Sequence, residues 1–135
     1  MSRSIPILAV LASILLLGAC ATSPFANRTA PPGKVEHIVL VWLKNPGDAA
    51  DRDALIAIAK AFPAQIREIE HLSVGTAVPS ERDIVDDSFD VGFVMRFANE
   101  ADLATYVDHP DHVNAVKEKL KPIAAKVVVY DIACR

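Results

Sequence analysis

Three histidines and a tyrosine are the residues best suited to acid-base chemistry in this chain of 135 residues. Tyr106, His109 and His112 lie close together in the sequence, and His37 lies in an earlier apolar run. A neutral imidazole is a competent general base, and a tyrosine hydroxyl can donate a hydrogen bond to a developing oxyanion. If these side chains converge on an apolar cavity, they could remove a proton from a carbon next to a carbonyl group.

The position of each side chain on its element indicates how it could act. Pro110 suits the first position of a helix, which places His109 at the N-cap and His112 at the third helical position, where the helix dipole disfavours an added proton. Tyr106 lies on the apolar stripe of the preceding helix, so Tyr106, His112 and His37 could all face one cavity. The alternative is structural, because histidines also cap helices and a buried tyrosine needs only one hydrogen-bond partner.

A metal site is the other chemistry that these histidines suggest. His109 and His112 are three residues apart, with Asp108 and Asp111 beside them. However, no HExxH motif is present and a helix start would splay the two rings, so we expect no metal and no cofactor. The acidic loop at residues 80–87 lacks the glycine and the spacing of a calcium loop, and we interpret it as solvated.

The charge balance bears on the class of partner. The chain has 14 Lys and Arg against 17 Asp and Glu, and no basic run that could neutralise phosphates. We therefore expect no nucleic-acid partner. The length is enough for one domain.

The first 19 residues have the pattern of a secretory signal peptide. Arg3 is followed by an apolar stretch at residues 5–17. A helix of that length spans about 20 Å, less than the roughly 30 Å of a bilayer's hydrocarbon core, so a permanent transmembrane span is disfavoured.

The leader ends in Leu17-Gly18-Ala19-Cys20, which resembles the bacterial lipobox. This resemblance implies that residues 1–19 are removed and that Cys20 is lipidated, so the protein would be anchored in the bacterial cell envelope. Alanine rather than aspartate follows Cys20, which implies the periplasmic face of the outer membrane. The alternative is a plain cleaved signal. If Cys20 is acylated, Cys134 is the one free thiol of the mature chain, either a simple tail residue or the site of an intermolecular disulfide.

The mature chain divides into a lipidated tether at residues 20–33 and one domain at residues 34–135. The tether is rich in proline and small residues and has no apolar period. Within the domain, apolar patterning and turn residues predict strands at 35–43, 71–78, 88–97 and 126–132, and helices at 48–62, from Asn99 to near Asp108, and from Pro110. The order β-α-β-β-α-α-β is that of an α+β, ferredoxin-like fold with an antiparallel sheet.

Both faces of this sheet are expected to be apolar. On the first strand His37, Val39, Val41 and Leu43 point one way and Ile38, Leu40 and Trp42 the other, and a further apolar row comprises Val91, Phe93, Met95 and Phe97. Helices cover only one face in this fold. We therefore predict a homodimer in which the uncovered sheet faces pack together, against the alternative of a monomer with a less polar face.

Residues 34–132 resemble the stress-responsive A/B barrel (Dabb) domain family. The resemblance rests on VEHIVL at 35–40, FDVGF at 89–93, VVYD at 128–131 and, most specifically, the Y-x-x-H-P-x-H pattern at 106–112. It implies a dimeric α/β barrel of ferredoxin-like subunits.

The family includes a plant polyketide cyclase that performs an aldol-type ring closure without a cofactor. Its catalytic tyrosine and histidine correspond to Tyr106 and His112, and a pocket histidine corresponds to His37. A further histidine of the cyclase is replaced here by Val91. We also expect His109, Val39 and Val91 to line a ligand pocket.

Three functions follow from these observations. The first is an envelope lipoprotein that binds a small apolar or aromatic molecule between sheet and helices. The second is a cofactor-free acid-base enzyme of the cyclase or lyase kind, with His112 as the base. The third is a structural stress protein that only oligomerises.

Overall fold

The computed structural model describes residues 30–135. The predicted signal peptide at 1–19, Cys20 and most of the predicted tether lie outside the described residues. The described elements are β1 (Val35–Leu43), α1 (Ala49–Gln65), β2 (Ile69–Gly75), β3 (Val91–Phe97), α2 (Glu100–Asp108), α3 (Pro110–Ala115), a π-helical turn (Val116–Leu120), α4 (Lys121–Ile123) and β4 (Ala124–Ala133).

The four strands form one antiparallel sheet in the order β2-β3-β1-β4. The helices pack on one face of this sheet, so the protein has the predicted α+β, ferredoxin-like fold. The central strand β1 has the predicted bounds because it is mostly apolar and pairs with a neighbour on each side.

Four elements have bounds that differ from the sequence prediction, and one of them, β4 (Ala124–Ala133), extends beyond the predicted 126–132 at both ends. Helix α1 continues through Pro63 to Gln65, because burial of Phe62 and Ile66 and a hydrogen bond from the Ile66 amide to the Phe62 carbonyl hold the last turn in place. Strand β2 begins two residues earlier and ends three residues earlier than predicted. Strand β3 begins only at Val91, because the Asp86 side chain accepts hydrogen bonds from Ser88 and holds that segment in a turn.

The helices after β3 begin where the capping residues in the sequence predict. Asn99 caps α2 by accepting from the Asp102 amide, and Pro110 opens α3 with His109 as the N-cap. The chain then widens into the π-helical turn before Pro122. Proline has no amide hydrogen and its ring clashes with the carbonyl four residues earlier, which accounts for the change in hydrogen bonding.

The core lies between the helices and one face of the sheet. Val35, His37, Val39, Val41 and Leu43 of β1 are buried there. The β3 row of Val91, Phe93, Met95 and Phe97 lies on the same face, since Val91 pairs with Val41 and Phe93 with Val39. The helices of the same chain therefore bury this row.

The opposite face of the sheet carries apolar side chains that no element among residues 30–135 covers. It includes Ile38 and Leu40 on β1, Val94 on β3, and Tyr130 and Ile132 on β4. Tyr130 and Ile132 are 55% and 49% exposed, respectively. Large exposed apolar patches of this kind are typical of protein interfaces.

Asp90 connects the start of β3 to the turn that follows β1. Its carboxylate accepts hydrogen bonds from the Leu43 amide at 2.8 Å and from the Gly47 amide at 2.7 Å. Gly47 has a φ of 75°, which glycine adopts without strain, so the turn depends on both residues.

Replacement of Asp90 by alanine should lower the free energy of unfolding by about 2 kcal/mol, because it leaves two backbone donors without their charged acceptor. Urea denaturation of the variant would measure this loss. Asp53→Ala is the control, since Asp53 is an exposed helix residue and its loss should change stability by less than about 0.5 kcal/mol. A similar effect of both substitutions would contradict the role assigned to Asp90.

Candidate functional site

A cavity of about 370 Å³ lies between the sheet and the helices. This volume is at the lower end of the range of small-molecule sites, roughly 300–1,000 Å³. Its wall is mostly apolar and comes from β1, β3, β4, α1 and the helical segment 106–120, and it includes Val39, Leu55, Ile58, Phe62, Phe93, Met95, Val116, Leu120 and Val129. The polar side chains of the wall are His37, Tyr106, His112, Lys119 and Asp131.

His112 lies in the first turns of α3 and faces the cavity. Its Nδ1 donates a hydrogen bond to the Val107 carbonyl at 2.9 Å, since a carbonyl oxygen can only accept. The hydrogen is therefore on Nδ1, and Nε2 keeps its lone pair. Burial lowers the pKa of His112, and the nearby His37 and His109 lower it further, although the bond to Val107 opposes this shift. The neutral form is thus favoured, as a general base requires.

Tyr106 projects from α2 into the centre of an aromatic cluster and is 2% exposed. Its ring centroid lies 4.4 Å from that of His112, 5.0 Å from Phe97 and 5.6 Å from His37. Burial raises the pKa of the phenol well above its ordinary value, so the hydroxyl remains protonated. Within residues 30–135 no side chain or backbone group pairs with this hydroxyl. It can therefore donate a hydrogen bond to a molecule in the cavity.

His37 is 6% exposed and is oriented by a residue on the neighbouring strand. Its Nδ1 donates to the Asp131 carboxylate at 2.6 Å, because the two residues are direct partners in the β1–β4 register. In a neutral imidazole this contact places the hydrogen on Nδ1 and leaves Nε2 as an acceptor. His37, Tyr106 and His112 thus come together around one cavity.

Two other predicted pocket residues lie elsewhere. His109 caps α3, where its Nδ1 accepts from the Asp111 amide at 3.3 Å, and it is not part of the cavity wall. Val91 is fully buried in the core near the end of β1 and also does not line the cavity. Val39 does line it. No cluster of three or more potential metal ligands occurs in the part of the chain that the structure describes.

Sequence reasoning did not identify Asp131 and Lys119 as site residues. Asp131 joins the site only through the β1–β4 register. Lys119 is seven residues after His112, a spacing that places two residues on one helix face, so periodicity could have identified it. Cys134, for which two roles were expected, is half-buried, and its backbone pairs with Gly33 and Lys34.

The pKa shift of His112 predicts a pH dependence of stability. Because the folded-state pKa lies below the ordinary value of 6.5, the unfolded state binds more protons than the folded state between the two values. The free energy of unfolding therefore falls as the pH drops below about 6.5. Denaturation of wild type and of His112→Gln across this pH range should show a smaller fall in the variant. An equal fall in the two proteins would contradict the assignment to His112. The control is His71→Gln, which removes an exposed histidine of β2 and should show the same fall as the wild type.

The fold and the site define a class of protein: a small ferredoxin-like α+β domain that encloses an apolar cavity with a few converging polar groups. The chain belongs to the stress-responsive A/B barrel domain (Dabb) family, whose model matches residues 35–134.

A curated relative, a stress-response A/B barrel domain-containing protein of Arabidopsis thaliana, is 29% identical over 119 residues. The match covers 88% of this chain and 44% of that protein, so the chain spans less than half the length of this relative.

Solved structures share the fold. A Dabb family protein with a ferredoxin-like fold from Mesorhizobium loti is 28% identical, with a TM-score of 0.62 over 74% of this chain and 95% of that chain. A dimeric ferredoxin-like protein of unknown function from Bacteroides fragilis is 25% identical, with a TM-score of 0.60 over 75% and 96%. The hydroxynitrile lyase of Passiflora edulis is 24% identical, with a TM-score of 0.68 over 78% and 96%, and shows similarity of fold.

Proposed function

We propose that this protein binds a small apolar or aromatic molecule that carries an oxygen atom. The observation that supports this function is the wall of the cavity, which is apolar except for a few polar groups near one another. The buried Tyr106 hydroxyl can donate to the oxygen of such a molecule, and Nε2 of His112 can accept a hydrogen from it. A purely structural protein would have no need of an open cavity beside these groups.

The test is native mass spectrometry of the full chain, extracted gently from the membranes of its host. We expect a discrete extra mass on the wild type and its loss from Ala115→Trp, because Ala115 lines the cavity and an indole would fill it. Thermal denaturation of the variant checks that it folds. Wild-type protein without any bound mass would favour the purely structural function, and a mass that Ala115→Trp retains would place the ligand outside the cavity.

Acid-base catalysis is a second candidate function, and the tautomer of His112 favours it. With the hydrogen on Nδ1, the Nε2 lone pair could take a proton from a carbon beside a carbonyl group, while Tyr106 stabilises the oxygen on which charge develops. The Passiflora protein supports this candidate only in that the same fold is found in a lyase.

Exchange of deuterium from solvent into 1-phenyl-2-propanone would test this chemistry without knowledge of the substrate. The wild type should accelerate exchange, and His112→Ala should slow it by about a hundredfold, the lower end of general-base effects. His71→Ala, in which an exposed histidine is removed from β2, should exchange like the wild type. Equal rates in wild type and His112→Ala would reject His112 as the base.

We further propose that the chain is a lipoprotein of the bacterial cell envelope, held through lipidated Cys20 on the periplasmic face of the outer membrane. The leader at 1–19 and the Pro-rich tether at 20–33 support this proposal. No helix within residues 30–135 is long and apolar enough to cross a membrane. Intact-mass measurement of the membrane-extracted protein should show a diacylglyceryl mass that Cys20→Ser lacks.

The domain is also proposed to act as a homodimer. The Bacteroides fragilis relative is described as dimeric, and the uncovered apolar face of the sheet supplies a surface for a second copy.

A further inference from the structure

Lys119 lies where the cavity opens to the surface. Lys119 lines both the cavity and an adjoining groove between α1 and α3. The cavity and the groove also share Ile58, Phe62 and Ala115, so they are continuous with each other. The π-helical turn, which contains Lys119, carries the backbone past this opening. Non-standard helical turns of this type are frequent at functional sites.

The charges around Lys119 leave it without a carboxylate partner in the described part of the chain. Asp131, the one carboxylate of the cavity wall, is held by Nδ1 of His37. Of the two carboxylates in the groove, Glu118 pairs with Lys117, and Asp111 forms no ion pair with Lys119. No ion pair within residues 30–135 involves Lys119. The cavity therefore has an apolar interior and, at its mouth, a lysine that forms no ion pair within residues 30–135.

A cation beside an apolar wall attracts anions more strongly than it would in open water, because the local dielectric is lower. A molecule that fills the cavity with its apolar part would place its polar end at this opening. The cavity volume of about 370 Å³ is small for a ligand site and suits a molecule with a single ring or a short chain.

We propose that the preferred ligand is an apolar carboxylic acid whose carboxylate pairs with Lys119 at the mouth of the cavity. This inference rests on the proposed binding function and specifies the chemical class of its ligand. The apolar body would lie between α1 and the sheet, with Phe62 and Val39 among its contacts, and any carbonyl or hydroxyl group on that body would face Tyr106 and His112.

The experiment compares 4-phenylbutyrate with 4-phenylbutanamide, which have nearly the same shape but differ in charge. Isothermal titration of the full chain should give a Kd about tenfold lower for the carboxylate, as expected for one charge-assisted hydrogen bond. In Lys119→Gln the carboxylate should bind as weakly as the amide, and binding of the amide should be unchanged. Lys119→Arg should keep most of the preference, because the charge is retained.

Lys117→Gln is the matched control, since Lys117 lies on the same turn but outside the cavity wall. It should bind both compounds like the wild type, and Ala115→Trp should bind neither. Equal affinity of the wild type for the two compounds, or an unchanged preference in Lys119→Gln, would overturn the carboxylate assignment and leave the binding function intact. Failure of both compounds to bind the wild type, or binding that Ala115→Trp does not block, would overturn both the carboxylate assignment and the binding function.

Discussion

Replacement of Tyr106 by alanine is expected to lower the free energy of unfolding by about 4 kcal/mol, since large aromatic-to-alanine changes in cores cost roughly 3–5 kcal/mol. The ring is 2% exposed and lies against Phe97, His112, His37 and Phe62, with centroid distances from 4.4 to 6.2 Å. Its loss would enlarge a cavity that already exists, so the neighbouring side chains could not close the gap. Urea denaturation at neutral pH would measure this change.

Tyr106→Phe separates the ring from its hydroxyl. The hydroxyl has no partner among residues 30–135, so its removal should change stability by less than about 1 kcal/mol. The same variant should slow deuterium exchange into 1-phenyl-2-propanone, because the donor to the developing oxyanion is absent. A large loss of stability in Tyr106→Phe would instead show that the hydroxyl has a structural partner, and the proposed role in ligand binding would fail.

Leu40→Glu is expected to dissociate the proposed homodimer, with a rise in its dissociation constant of more than about a hundredfold. Leu40 lies on the central strand β1, on the sheet face that the helices do not cover. In a two-fold interface one substitution introduces two like charges into the same apolar surface. Analytical ultracentrifugation at micromolar concentration would report a shift from dimer to monomer.

The control for this experiment is Ile84→Glu. Ile84 is 92% exposed on the loop between β2 and β3, so the same change of chemistry there should leave the dimer intact. A wild-type monomer, or a Leu40→Glu variant that sediments as a dimer, would contradict a dimer formed through the sheet face.

The order of elements could be predicted because each depends on local signals. The apolar run of β1, the Asn99 cap of α2 and the Pro110 start of α3 specify those elements without distant contacts. The ends of α1 and β3 could not be predicted in the same way. Burial of Ile66 extends α1 beyond Pro63, and the hydrogen bonds of Asp86 delay the start of β3.

The site was predictable to the extent that periodicity shows which side of an element faces inward. Tyr106 and His112 lie on the inward faces of adjacent helices, and alternation along β1 places His37 on the covered face of the sheet. The same alternation could not show that Val91 lies beyond the cavity, because depth along a strand depends on strand register. Nor could it show that the His109 side chain bonds to the backbone of α3 and does not face the cavity.

The sequence by itself determined the order of the elements, the fold class and the pairing of Tyr106 with His112, since these follow from patterns within short segments. Only the tertiary structure decided which sheet face is covered, that Asp131 orients His37, and that Lys119 lies at the mouth of the cavity. The physical reason is that strand register is set by contacts between residues far apart in the chain, here 94 residues for His37 and Asp131.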